Sequence, residues 1–179
     1  TKMLEYDSSS YKAIFRKGLC AGYLSDETNI RTNELVSGYK QASSMINTLI
    51  EKGTSVDVLY AEHKTVTEEF QNFALQFSSN FKNINNVTIF NDKQQIDTNV
   101  QTAMNVANMF TEVNEVIDNK YEDLKKDILS LNIDVCSNLL NGCHFLRYNN
   151  GFSVDKNGKR TPNYSTYNVS KDIIAYFES

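Results

Sequence analysis

The residues of this 179-residue chain best suited to chemistry are two histidines, His63 and His144, and three cysteines, Cys20, Cys136 and Cys143. A structural zinc asks for four ligands at short spacings, such as Cys-x2-Cys with His-x3-His. Cys136, Cys143 and His144 offer three at unsuitable spacings, so no residue is assigned to a metal. His63 reads as a partly buried histidine bonded to a neighbour on an apolar helical face. A Cys–His nucleophilic pair through His63 is sterically conceivable between two packed helices, but it has no local signature and no oxyanion-hole loop. Walker A, Gly-x-Gly-x-x-Gly, Gly-x-Ser-x-Gly and His-Glu-x-x-His patterns are absent, as are the Glu-x-x-His pairs of di-iron carboxylate bundles. Glu68-Glu69 and Glu122-Asp123 read as solvated helix faces. The expectation is a non-enzymatic protein, with no catalytic or cofactor-binding residue and no cofactor.

The cysteines carry a second expectation. Cys136 and Cys143 stand seven apart, about 10 Å along a helix, which exceeds the roughly 7 Å between Cα atoms that a disulfide tolerates. An intrachain bridge would therefore join Cys20 to Cys136 or to Cys143 and leave one thiol over. The alternative is three reduced cysteines in a cytosolic protein. Sequons at Asn86-Val87-Thr88, Asn163-Tyr164-Ser165 and Asn168-Val169-Ser170 fit a secreted protein without arguing for one. Secretion is slightly favoured over the cytoplasm. The chain begins Thr-Lys-Met, so it reads as a processed chain or an excised domain.

Composition narrows the partners. The net charge is −4 and the pI about 5.2, which leaves no electrostatic footprint for DNA, RNA or an anionic membrane. No apolar run reaches the roughly 18 residues of a membrane span. Forty per cent hydrophobic residues suits a globular core, and one proline with seven glycines suits long helices.

Helices must position whatever acts. Residues 10–24 open with a serine cap and an apolar face of Tyr11, Ile14, Phe15 and Leu19, while Gly18 and Gly22 imply close packing against a neighbour. Ser25-Asp26-Glu27 starts a second helix, with Leu35, Tyr39, Ala42, Ile46 and Leu49 as its seam and Lys52-Gly53 as its stop. Thr54 or Ser55 caps a third at once, and its seam is Leu59, His63, Val66, Phe70, Phe73, Phe77 and Phe81. The asparagine-rich stretch 80–92 reads as a loop with an apolar plug at 87–90.

From Asp92 to His144 the apolar positions Ile96, Val100, Ala103, Ala107, Phe110, Asn114, Ile117, Tyr121, Leu124, Ile128, Leu131 and Val135 keep alternating steps of four and three. Asp118-Asn119-Lys120 is the one place to break, but the phase survives it, so one long helix is favoured over two. Asn114 on the seam is either a register-setting residue or a hydrogen-bonded or exposed one where the stripe rotates out of the core, with the second preferred. In the tail, Asn157-Gly158 signals a hairpin against the alternative of a mobile loop. Ser170 caps a short last helix that would dock through Ile173 and Phe177.

The expected fold is all-α: an elongated antiparallel bundle of three to four long helices with a short N-terminal helix and an irregular C-terminal tail. It is one domain over 1–179, with the bundle at 10–148 and the tail at 149–179. The expected function is protein or other macromolecular binding through an elongated helical surface. A coiled-coil scaffold that homodimerises through the 92–144 helix is the alternative. A carrier of small hydrophobic ligands in the phenylalanine seam stands third.

Overall fold

Local capping sets the first elements. Ser10 accepts the amide of Ala13 at 3.4 Å and starts α1, Tyr11–Tyr23. A computed structural model describes residues 10–25, 31–53, 55–116 and 121–179. After α1 come α2 (Thr32–Glu51), α3 (Val56–Val87), β1 (Ile89–Phe90) and α4 (Lys93–Thr111). A 3-10 turn at Glu112–Val116 follows, then α5 (Glu122–His144), β2 (Arg147–Val154), β3 (Arg160–Thr166) and α6 (Lys171–Glu178).

Among the described residues 75% are helical, yet the fold is not all-α. Three strands form one mixed sheet in the order β1-β2-β3, with β1 parallel to β2 and β2 antiparallel to β3. Ile89 pairs with Arg147 and Phe90 with Tyr148. That pairing joins stretches almost sixty residues apart, and β1, at two residues, is too short to announce a strand by itself.

Contacts divide the chain into two units, 1–75 with 108–132 and 76–107 with 133–179, and α3, α4 and α5 each contribute to both. In the first unit α1 and α2 meet backbone to backbone. A Cβ on Gly18 would lie 2.7 Å from the Glu34 carbonyl oxygen, and one on Gly38 would lie 3.2 Å from the Gly18 Cα. Gly22 is covered by the Phe73 ring. Phe15, Leu35, Tyr39, Ile46, Phe70 and Phe110 are fully buried there, and the Phe70 ring lies between Tyr39, tilted against it, and Phe110, edge-on to it. The core of the second unit includes Ile96, Val100, Leu139, Cys143 and Leu146. Ser170 accepts the Ile173 amide to start α6, whose Phe177 is buried while Ile173 is half-buried.

Three boundaries depart from expectation. The run 92–144 is not one helix: α4 begins at the Asp92 cap, ends at Thr111 and tightens into the 3-10 turn. Asn132 Nδ2 donates to Asn114 Oδ1 at 3.1 Å, whereas one straight helix would hold those residues about 27 Å apart. The four-three phase survives because each helix turns its own seam inward, with Val100, Ala107 and Phe110 buried on α4 and Leu124, Ile128 and Leu131 buried on α5. Asp118, Asn119 and Lys120, where a break was weighed, lie outside the described residues.

Secondly, α3 runs through Asn80 to Val87 instead of yielding to a loop. Buried Asn85 donates to Asn99 at 3.1 Å, and this tertiary contact outweighs the weak helix propensity of asparagine. Thirdly, α2 starts at Thr32; Asp26, Glu27 and Thr54 lie outside the described residues.

Candidate functional site

His63 is one candidate. It sits on α3 with no exposed surface, and its Nε2 lies 3.1 Å from the equally buried Ser43 Oγ on α2. One turn on, Thr67 donates its hydroxyl proton to the His63 carbonyl at 2.8 Å. With that proton committed, the Tyr39 hydroxyl must donate to Thr67 Oγ1, also at 2.8 Å. The Tyr121 ring meets His63 edge-on at 5.8 Å.

A serine on a histidine nitrogen has the outline of a nucleophile and its base. Here the remaining geometry opposes that chemistry. Neither side chain reaches solvent, and His63 Nδ1 meets no hydrogen-bond partner among the described residues, so no carboxylate orients the ring. Burial pushes His63 down to about 4, well below the range of a base working near neutral pH. The arrangement satisfies polar groups inside a core and specifies which helices pack there.

The cysteines are all free, and no two lie at disulfide distance, so of the two readings weighed the bridge from Cys20 to Cys136 or Cys143 is not formed. Cys20 is exposed on α1, and Cys136 is half-buried on α5. Cys143 is buried on the same helix, where burial pushes its thiol up to about 12, which makes it inert as a nucleophile. His144, next to it, is exposed. Among the described residues no three His, Cys, Asp or Glu side chains gather into a metal-binding set. Among them, too, no helix is long and apolar enough to cross a membrane. The phenylalanine seam is occupied by protein: Phe70 lies tilted against Tyr39 and edge-on to Phe110, and Phe73 is edge-on to Tyr23 and covers Gly22.

The second candidate is the β2–β3 ribbon, where no site residue was expected. Its turn runs from Asp155 to Lys159. The Asp155 carboxylate accepts the amides of Asn157 and Lys159 at 2.9 Å each, and the Asp155 carbonyl accepts the amide of Gly158 at 3.0 Å. Gly158 takes φ +77 while Asn157 has an ordinary negative φ. The connection is therefore a three-residue loop closed by glycine, rather than the two-residue Asn-Gly turn, which needs φ above zero at both positions.

Register and the two-residue period of a strand then sort the side chains. Phe152 faces Pro162 across the ladder and Val154 faces Arg160. With Tyr164, two residues beyond Pro162, these five share one face. Ser153, Thr161, Asn163 and Ser165 share the other, where Ser153 Oγ donates to Asn163 Oδ1 at 2.6 Å. The apolar face is open: Phe152 is 56% exposed, Val154 62% and Tyr164 54%.

The free edge of β3 is blunted. Asp155 and Lys159 are a hydrogen-bonded pair, so by alternation Phe152 and Pro162 are not. The Pro162 nitrogen therefore points to the outer edge, where it has no proton to donate to an added strand. A signal for this face existed in sequence: apolar and polar residues alternate in Phe152-Ser153-Val154 and again from Pro162 to Tyr164, on either side of Asn157-Gly158. No family model, no curated protein and no solved structure matches the chain.

Proposed function

We propose that this chain is a non-enzymatic binding protein that engages another macromolecule through the apolar face of the β2–β3 ribbon. One observation carries the reading: Phe152, Val154 and Tyr164 lie side by side, each more than half exposed, while the opposite face is polar. Fully burying one such side chain is worth about 1.5–3 kcal/mol, a gain available only when something covers it. Phenylalanine, tyrosine and arginine are also the residue types enriched at the centres of protein interfaces.

This moves the contact from the helical surface to the ribbon. The helical seams supply the cores of the two units, whereas nothing among the described residues covers this face. Homodimerisation through a 92–144 helix loses its premise, because that helix ends at Thr111.

The test is a comparative pull-down from the native source, with wild type and a Phe152→Ser/Tyr164→Ser double variant matched for fold by far-UV circular dichroism. A partner retained by wild type and lost by the variant is the expected result. Equal retention by both removes the ribbon as the contact.

A further inference from the structure

Resting on the ribbon as the contact surface, we infer that its partner is a protein surface presenting carboxylates beside apolar side chains. From Arg147 to Thr166 the ribbon holds four cations, Arg147, Lys156, Lys159 and Arg160, against the single carboxylate of Asp155. That carboxylate is occupied by the backbone amides of Asn157 and Lys159. Arg147 reaches back to the Asn86 carbonyl at 2.7 Å, at the base of the ribbon.

Lys156, Lys159 and Arg160 make no ion pair among the described residues. In the first unit, by contrast, Lys12 pairs with Glu62, Arg16 with Glu69, Arg31 with Glu34 and Lys40 with Glu112. Three uncompensated cations thus stand at one end of an open apolar face, and Arg160 is part of that face. A guanidinium beside Val154, Phe152 and Tyr164 matches a carboxylate flanked by apolar groups, which it can grip with two parallel hydrogen bonds.

Other occupants fit less well. A long polyanion would extend beyond the ribbon to the rest of the chain, which is acidic enough to bring the total to −4. Two ribbons packed face to face would bring like charges together. A partner strand added at the edge of β3 would meet Pro162. What remains is recognition by the side chains of the face, with cations setting orientation and the aromatic residues supplying buried area.

The experiment uses fluorescently labelled full chain and four probes: a random glutamate–tyrosine copolymer, polyglutamate, a single-stranded oligonucleotide and phosphatidylserine vesicles. The copolymer is expected to bind, and polyglutamate to bind about tenfold or more weakly. Lys159→Glu/Arg160→Glu and Phe152→Ser/Tyr164→Ser are each expected to weaken copolymer binding by about tenfold or more. No copolymer binding, stronger binding to the oligonucleotide or the vesicles, or self-association that either variant abolishes overturns the inference.

The same two variants taken into the pull-down separate the two claims. If Phe152→Ser/Tyr164→Ser loses the partner and charge reversal keeps it, the acidic partner is wrong and the ribbon stands. If neither loses it, both fall.

Discussion

The first unit closes its core over polar groups: Ser43, His63 and Thr67 have at most 1% of their surface exposed. The second leaves Phe152, Val154 and Tyr164 in the open on a ribbon with a polar reverse side. Charge divides along the same line. Residues 1–75 with 108–132 carry eleven cations against sixteen carboxylates, while 76–107 with 133–179 carry seven against six. Buried polar groups joined by hydrogen bonds specify one packing of helices. An exposed apolar face adds nothing to folding and is informative about function for that reason. The unit with the candidate histidine thus seals it inside a core, and the other unit carries the open face on which the proposed contact rests.

The contrast breaks most visibly in paired phenylalanine substitutions. Phe70→Ala, in the first core, is expected to cost about 3–5 kcal/mol, and Phe152→Ala, on the ribbon, to stay within about 0.5 kcal/mol. Urea unfolding of the two variants decides it. A Phe152 loss comparable to that of Phe70 would mean that the ribbon face is covered after all.

Acid is the next lever. His63 is held at about 4 in the folded chain against an ordinary value of 6.5, so the unfolded chain binds the proton first as pH falls. Stability from this group is complete above pH 6.5 and drains away between 6.5 and about 4, about 3 kcal/mol in all. His63→Leu should flatten that part of the pH profile of the unfolding midpoint. An unchanged profile would mean that the histidine is not sealed.

Smaller effects sharpen the two sides separately. Gly18→Ala is expected to cost about 1–3 kcal/mol, because its Cβ would fall 2.7 Å from the backbone oxygen of Glu34, which cannot swing away. A neutral result would show that α1 and α2 slide apart freely. Gly158→Ala, at φ +77 with nothing within 4 Å, should cost about 1–2 kcal/mol through backbone strain alone. Amide exchange should quicken in β2 and β3 and remain unchanged in α1 and α2; uniform quickening would mean that the ribbon does not fray independently.

Much of the helical layer was legible. The seam on α3, the Lys52-Gly53 stop, the Asp92 cap and the Ser170 cap follow from side chains that act within one or two turns of their own position. What misled was phase: the four-three repeat crosses the end of α4 because two consecutive helices of one core can share a period by geometry alone. The hairpin was half legible, since Asn157-Gly158 marks a turn but leaves its type open. The openness of its apolar face was not, because alternation over three residues cannot say which side, if either, will be buried.

The amino-acid sequence by itself determined which helix faces are apolar and where the capped ends lie, at Ser10, Lys52-Gly53, Asp92 and Ser170, because caps and periodicity are local interactions. Only the tertiary structure decided that α4 and α5 are separate helices, with Asn132 reaching Asn114, and that Ser43 satisfies His63. It alone also decided that β1 pairs with β2 across almost sixty residues and that the ribbon keeps its apolar face uncovered. Those outcomes depend on which distant surfaces meet. Contact between distant segments is set by the packing of the whole chain, and no short window of residues encodes it.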